Sequence, residues 1–114
     1  MVVLYGIKNC DTVKNARVWL ENNGIDYQLH DYRVDGLTSD LLQRFSADLG
    51  WSAMLNRSST SWRQLSQEQQ ADLTESKALK LMLEIPTLIK RPILDTGSKL
   101  MLGFKADTYQ ALLK

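Results

Sequence analysis

Apolar and polar positions alternate in recognisable registers along this chain, and the registers change at definite points. Met1 to Ile7 is a near-continuous apolar run and reads as a strand buried on both faces. After Lys8-Asn9 the spacing becomes helical: Val13, Ala16 and Leu20 share a stripe with Trp19 beside it. A helix is therefore predicted from Asp11 to about Asn23, closed by Gly24 in a left-handed conformation. From Ile25 to about Arg33, Asp26, Gln28 and His30 alternate with Tyr27 and Leu29, and Tyr32 follows Asp31; this is a second, less buried strand. Strand, helix and strand in that order form a βαβ unit with parallel strands.

The middle of the chain is helical in pattern. Asp35-Gly36 signals a turn, Thr38 is a candidate N-cap, and Leu42, Phe45 and Leu49 line a helix that Gly50 ends. A polar loop, Trp51 to Ser61, carries Arg57. Ser66-Gln67-Glu68-Gln69 is a capping box, so a short helix is predicted to start at Gln67. Thr74 caps another, whose face of Ala78, Leu81, Met82 and Ile85 runs until Pro86. Strands then return: Arg91-Pro92-Ile93-Leu94, the turn Asp95-Thr96-Gly97-Ser98, and Lys99 to Phe104 make a hairpin. A last helix, Asp107 to Lys114, packs Tyr109, Leu112 and Leu113. The order β-α-β, helical block, β-β-α is that of an α/β thioredoxin-like fold with a mixed four-stranded sheet. One domain, 1–114, is expected, with thioredoxin-like parts at about 1–33 and 90–114 and a helical insertion at about 37–86.

Composition narrows the function. The chain has 114 residues, 44% of them hydrophobic, which is enough to bury a core without staples. Fourteen Lys+Arg against 13 Asp+Glu leave a net charge of +1, so no global field draws it to nucleic acid or to an anionic membrane. No segment approaches the roughly 18 apolar residues of a membrane span. Met1-Val2-Val3-Leu4 is too short for a secretory leader, and a single cysteine makes no internal disulfide. A cytoplasmic monomer is expected, with no metal, because no metal-ligand spacing occurs.

That single cysteine, Cys10, falls where the first strand hands over to the first helix. A buried small hydrophobe is the commoner fate of a lone cysteine. Here the polar neighbours Lys8, Asn9 and Asp11 and the positive end of a helix dipole argue instead for a thiol stabilised as thiolate. His30, the only histidine, lies within the second strand and reads as structural.

Cys10 at the end of the first strand, Arg57 in the mid-chain loop, and Pro86-Thr87-Leu88-Ile89-Lys90-Arg91-Pro92-Ile93 before a hairpin together resemble the ArsC-like family of glutaredoxin-coupled arsenate reductases and Spx transcription regulators. Gly6-Ile7-Lys8-Asn9-Cys10-Asp11-Thr12 and Gly103-Phe104-Lys105 most resemble its YffB branch. The resemblance implies Cys10 as nucleophile, a cis peptide at Arg91-Pro92 beside it, and substrate-binding roles for Arg57, Arg91, Lys8, Asn9, Pro92 and Lys105. It also exposes two departures. Arsenate reductases of the family use three arginines; Arg57 and Arg91 match two, while Lys105 lies in the region of the third and lacks the planar fork that grips an oxyanion. Spx regulators carry a Cys-x-x-Cys switch, and Val13 stands at its second position.

A lone thiolate that forms a mixed disulfide needs a second thiol from outside to resolve it. The leading expectation is thus a glutathione-dependent monothiol reductase, a thiol-disulfide oxidoreductase cycling through a mixed disulfide at Cys10 with glutathione or another external thiol as co-substrate. Arsenate reduction is one alternative. An Spx-like regulator that binds RNA polymerase without catalysis is the other.

Overall fold

The computed structural model describes residues 1–114. The chain forms two compact units: Met1–Gly36 with Arg91–Lys114, and Leu37–Lys90.

In the first unit, β1 (Val2–Gly6), β2 (Tyr27–Asp31), β3 (Ile93–Asp95) and β4 (Leu100–Leu102) form a four-stranded sheet in the order β2-β1-β3-β4. β1 runs parallel to β2, with Leu4 opposite Leu29 and Gly6 opposite Asp31. It runs antiparallel to β3, with Leu4 opposite Leu94 and Tyr5 opposite Ile93, and β3 pairs antiparallel with β4. Helices α1 (Asp11–Asn22) and α7 (Ala106–Leu113) belong to the same unit, and the order of elements is the thioredoxin-like one. The core holds Leu4 and Leu94 from adjacent strands, Val13, Ala16 and Leu20 from the α1 stripe, and Tyr109 from α7, all fully buried. Burying an aliphatic side chain of this kind stabilises the fold by roughly 1.5–3 kcal/mol. Trp19 and Phe104 meet the Tyr109 ring edge-on, with centroids 5.7 and 4.9 Å away.

The strands are shorter than the apolar pattern suggests because turns take their backbone groups. Ile25 N–H closes α1 by donating to Leu20 O at 3.0 Å, and Val34 and Asp35 N–H both return to Asp31 O, so β2 is confined between them. In the hairpin, Asp95 Oδ1 accepts from Gly97 N–H at 2.8 Å and Thr96 N–H reaches Lys99 O at 3.0 Å; β3 runs on through Asp95, which was expected in the turn, and β4 starts at Leu100 rather than Lys99. Gly97 takes φ +96° there, a conformation that side chains disfavour.

The second unit is helical. α2 (Ser39–Leu49) starts at Thr38, whose Oγ1 accepts from Leu41 N–H at 3.2 Å. Its buried face is Leu42, Phe45 and Ser46, with Leu49 only half-buried. Ser46 is admitted because its hydroxyl donates to Glu75 at 2.7 Å. The stretch expected as a polar loop, Trp51 to Ser61, is instead largely ordered: α3 (Trp51–Met54) and the start of α4 (Thr60–Arg63) flank an extended Leu55 that bridges to Ile89. Met54, Leu55 and Ile89 are buried there, and Ser59 Oγ caps α4 by accepting from Trp62 N–H at 3.1 Å. The Ser66–Gln69 capping box is present at α5 (Gln67–Gln70), and Thr74 caps α6 (Glu75–Glu84). Pro86 ends the α6 region and opens a 3₁₀ turn, Pro86–Leu88. No helix is long and apolar enough to cross a membrane.

Candidate active site at the Cys10 end of the sheet

The end of β1 is shaped by one close approach. A methyl group on Gly6 would lie 2.8 Å from Val13 Cγ2, closer than carbon atoms pack, so glycine is what allows the first turn of α1 to sit on the strand end. The three residues between, Ile7 to Asn9, make a tight loop: Ile7 is buried while Lys8 and Asn9 are exposed. Asp31 fixes this loop. The residue is 6% exposed, and its carboxylate accepts from Lys8 N–H at 3.0 Å and from Arg33 N–H at 2.8 Å.

Cys10 is the N-cap of α1, with extended backbone (φ −139°, ψ 126°), and its carbonyl accepts from Lys14 N–H at 2.9 Å. No side chain caps the helix, so its leading amides and the positive end of its dipole are at the position of a half-buried free thiol. Val13, one turn on, is fully buried against the core, and the chain has no second thiol to pair with Cys10.

The other strands deliver further groups to the same end. Because Ile93 lies opposite Tyr5, the Arg91-Pro92 bond just before it arrives where β1 finishes; this peptide is cis. Pro92 is buried and Arg91 half-buried. Pro92 O accepts from Gly103 N–H at 2.7 Å, which brings the Gly103-Phe104-Lys105 turn alongside. Lys105 is exposed and is the N-cap of α7. Tyr32 N–H, beyond β2, donates to Gly6 O at 2.9 Å.

A sequence profile of the ArsC family matches residues 5–112. The chain belongs to the ArsC family. A protein of Haemophilus influenzae called uncharacterized is 46% identical over 111 residues, covering 97% of each chain. The Spx 2 global transcriptional regulator of Bacillus anthracis is 28% identical, over 99% of this chain and 87% of that one. Among solved structures, the YFFB protein superposes with a TM-score of 0.96 at 47% identity over the whole of both chains. An arsenate reductase (ArsC) related protein from Brucella melitensis gives 0.79 at 46% identity, over 99% and 94%. Within the ArsC family the chain thus sides with the YffB branch.

The sheet therefore gathers Lys8, Asn9, Cys10, Arg91, Pro92 and Lys105 toward one end. Arg57 lies in the other unit, where Nη1 donates to Ser52 O at 3.3 Å and the guanidinium stands over the Trp62 ring, 5.7 Å from its centroid. His30 is held in place, with Nε2 donating to Gly36 O at 2.8 Å and its ring 4.9 Å from that of Tyr5. Sequence reasoning passed over Asp31 and Tyr32. The pair Asp31-Tyr32 at a strand end was a signal, since an acidic residue that continues an apolar alternation implies backbone donors to satisfy it. No group of three or more histidine, cysteine or acidic side chains is placed to hold a metal.

Proposed function

We propose that this ArsC-family protein is a glutathione-dependent monothiol reductase with Cys10 as nucleophile. The reading is carried by one observation: a half-buried free thiol at an uncapped helix N-terminus, with Val13 rather than a second cysteine one turn away. The Cys10 thiolate attacks one sulfur of a disulfide RS–SR, forming Cys10–S–SR and releasing RS⁻, which takes up a proton. A glutathione thiolate then attacks the mixed disulfide, releasing the second RS⁻ and leaving Cys10 joined to glutathione. A second glutathione thiolate regenerates the Cys10 thiolate and yields glutathione disulfide. In sum, one disulfide and two glutathione molecules become two thiols and one glutathione disulfide.

Arg91, half-buried at the same sheet end, supplies positive potential to the thiolate and to an anionic substrate. Pro92 supports the backbone that presents it, and Lys8, Asn9 and Lys105 form the polar rim of the site. Steady-state reduction of a small disulfide by glutathione tests the mechanism. The wild-type protein turns over, and Cys10→Ser falls to the uncatalysed background; retained activity in that variant would exclude Cys10 as the nucleophile.

The Spx likeness supports a second reading, in which the chain binds RNA polymerase and Cys10 is dispensable. A polymerase pull-down unaffected by Cys10→Ala, from a protein without reductase activity, would favour it. The fork of a third arginine is absent at Lys105, so arsenate is the less favoured oxidised substrate.

A further inference from the structure

Asp31 ends β2 with every polar group in use. Its N–H donates to Asp35 Oδ2 at 2.9 Å, and its carbonyl accepts from Val34 and Asp35 N–H at 3.1 and 2.7 Å. These bonds close the Asp31–Asp35 turn on itself. The carboxylate then faces two backbone amides: Arg33 N–H in the same turn, and Lys8 N–H, 23 residues away in sequence. Burying a carboxylate is unfavourable unless its oxygens are hydrogen-bonded, and here both are. The chain can release the Lys8 amide only by stranding part of a buried charge.

Lys8 stands two residues before Cys10. On one side of it, Gly6 O accepts from Tyr32 N–H at 2.9 Å; on the other, Cys10 O accepts from Lys14 N–H at 2.9 Å. Asp31 grips the loop between those two points, where the Lys8 and Asn9 side chains are exposed. Cys10 must keep its extended N-cap backbone for the sulfur to stay at the leading amides of α1.

We infer that Asp31 is a positioning residue for Cys10: through the Lys8 amide, its buried carboxylate holds the loop in the shape that keeps the sulfur at the helix N-terminus. This role presupposes Cys10 as the nucleophile, the reading proposed above. The carboxylate acts on a thiolate in two opposed ways, since its charge repels one while its grip on the loop preserves the site that stabilises one. Two amide donors offset the charge, whereas the grip decides whether the sulfur has the helix amides at all. The grip is the larger effect.

The rate of Cys10 alkylation by iodoacetamide, followed against pH, tests the assignment. Asp31→Ala moves the midpoint of the profile upward, leaving about fivefold less thiolate below it, the size of one lost interaction with a helix terminus. Asp31→Asn keeps the shape and one acceptor oxygen, so its midpoint falls between those of Asp31→Ala and the wild type. It decides the matter if the alanine variant does not fold. Asp35→Ala loses the bond from Asp31 N–H, leaves the Asp31 carboxylate in place, and keeps the wild-type midpoint. A smaller folded fraction lowers the amplitude without moving the midpoint. Midpoints at or below the wild-type value in the Asp31 variants overturn the inference, because the carboxylate then acts by its charge alone or not at all. An equal upward shift in Asp35→Ala also overturns it, by showing that any damage to the turn suffices. The readout needs neither glutathione nor a disulfide, so its failure is distinct from failure of the reductase reading, which Cys10→Ser tests.

Discussion

At the scale of single residues, the site depends on a glycine and a valine as much as on the cysteine. Gly6 and Val13 are in contact across the strand–helix junction, and any side chain at position 6 must displace a fully buried one. Gly6→Ala should destabilise the protein by about 1–3 kcal/mol, the usual penalty for overpacking. Combined with Val13→Ala, part of that loss should return, giving a favourable coupling in a double-mutant cycle measured by urea denaturation. Strictly additive losses would show that the two positions do not share the space. Cys10 and the valine that replaces a second thiol were legible in the sequence, because both follow from residue type and spacing. The need for glycine at position 6 was not, since it arises from the approach of a side chain seven residues away. The orphan hydroxyl of Tyr32 was equally hidden, for burial without a partner is a property of the packed structure.

At the scale of elements, local chemistry was read well and element length less well. The Thr38 and Thr74 caps and the Ser66–Gln69 box lie where hydroxyl and amide spacing put them, because capping is decided within four residues. The segment Trp51–Ser61 was misread as loop because its serines and threonines look like turn residues. In the structure Ser59 is a cap, and Met54 and Leu55 anchor the flanking turns in the core. The loop that presents Cys10 is held by a neighbouring element, through the Asp31 carboxylate at the end of β2. Asp31→Ala should strand two backbone donors and cost about 2–4 kcal/mol, on the scale of two hydrogen bonds to a charged group. It should also loosen the Lys8–Asn9 turn, so that amide exchange at Lys8 rises while exchange in α6 is unaltered. Unchanged exchange at Lys8 would mean that the loop is fixed by something other than Asp31.

At the scale of the whole molecule, the order of elements and the mixed sheet were visible in the changes of hydrophobic period, and the family likeness agrees with them. The convergence of Arg91, Pro92 and Gly103 on the end of β1 was not visible, because strand register is set by pairing across about ninety residues of sequence. That convergence gives the chain its proposed chemistry: one nucleophile and an anion site, with the resolving thiol arriving from solution. The central claim is that glutathione joined to Cys10 is a competent intermediate. It is tested by preparing the Cys10–glutathione mixed disulfide, adding glutathione, and following release by intact mass. Release should be faster than from a glutathionylated cysteine peptide by at least about tenfold, because positioned charges favour the departing thiolate. Release no faster than from the peptide would contradict the account.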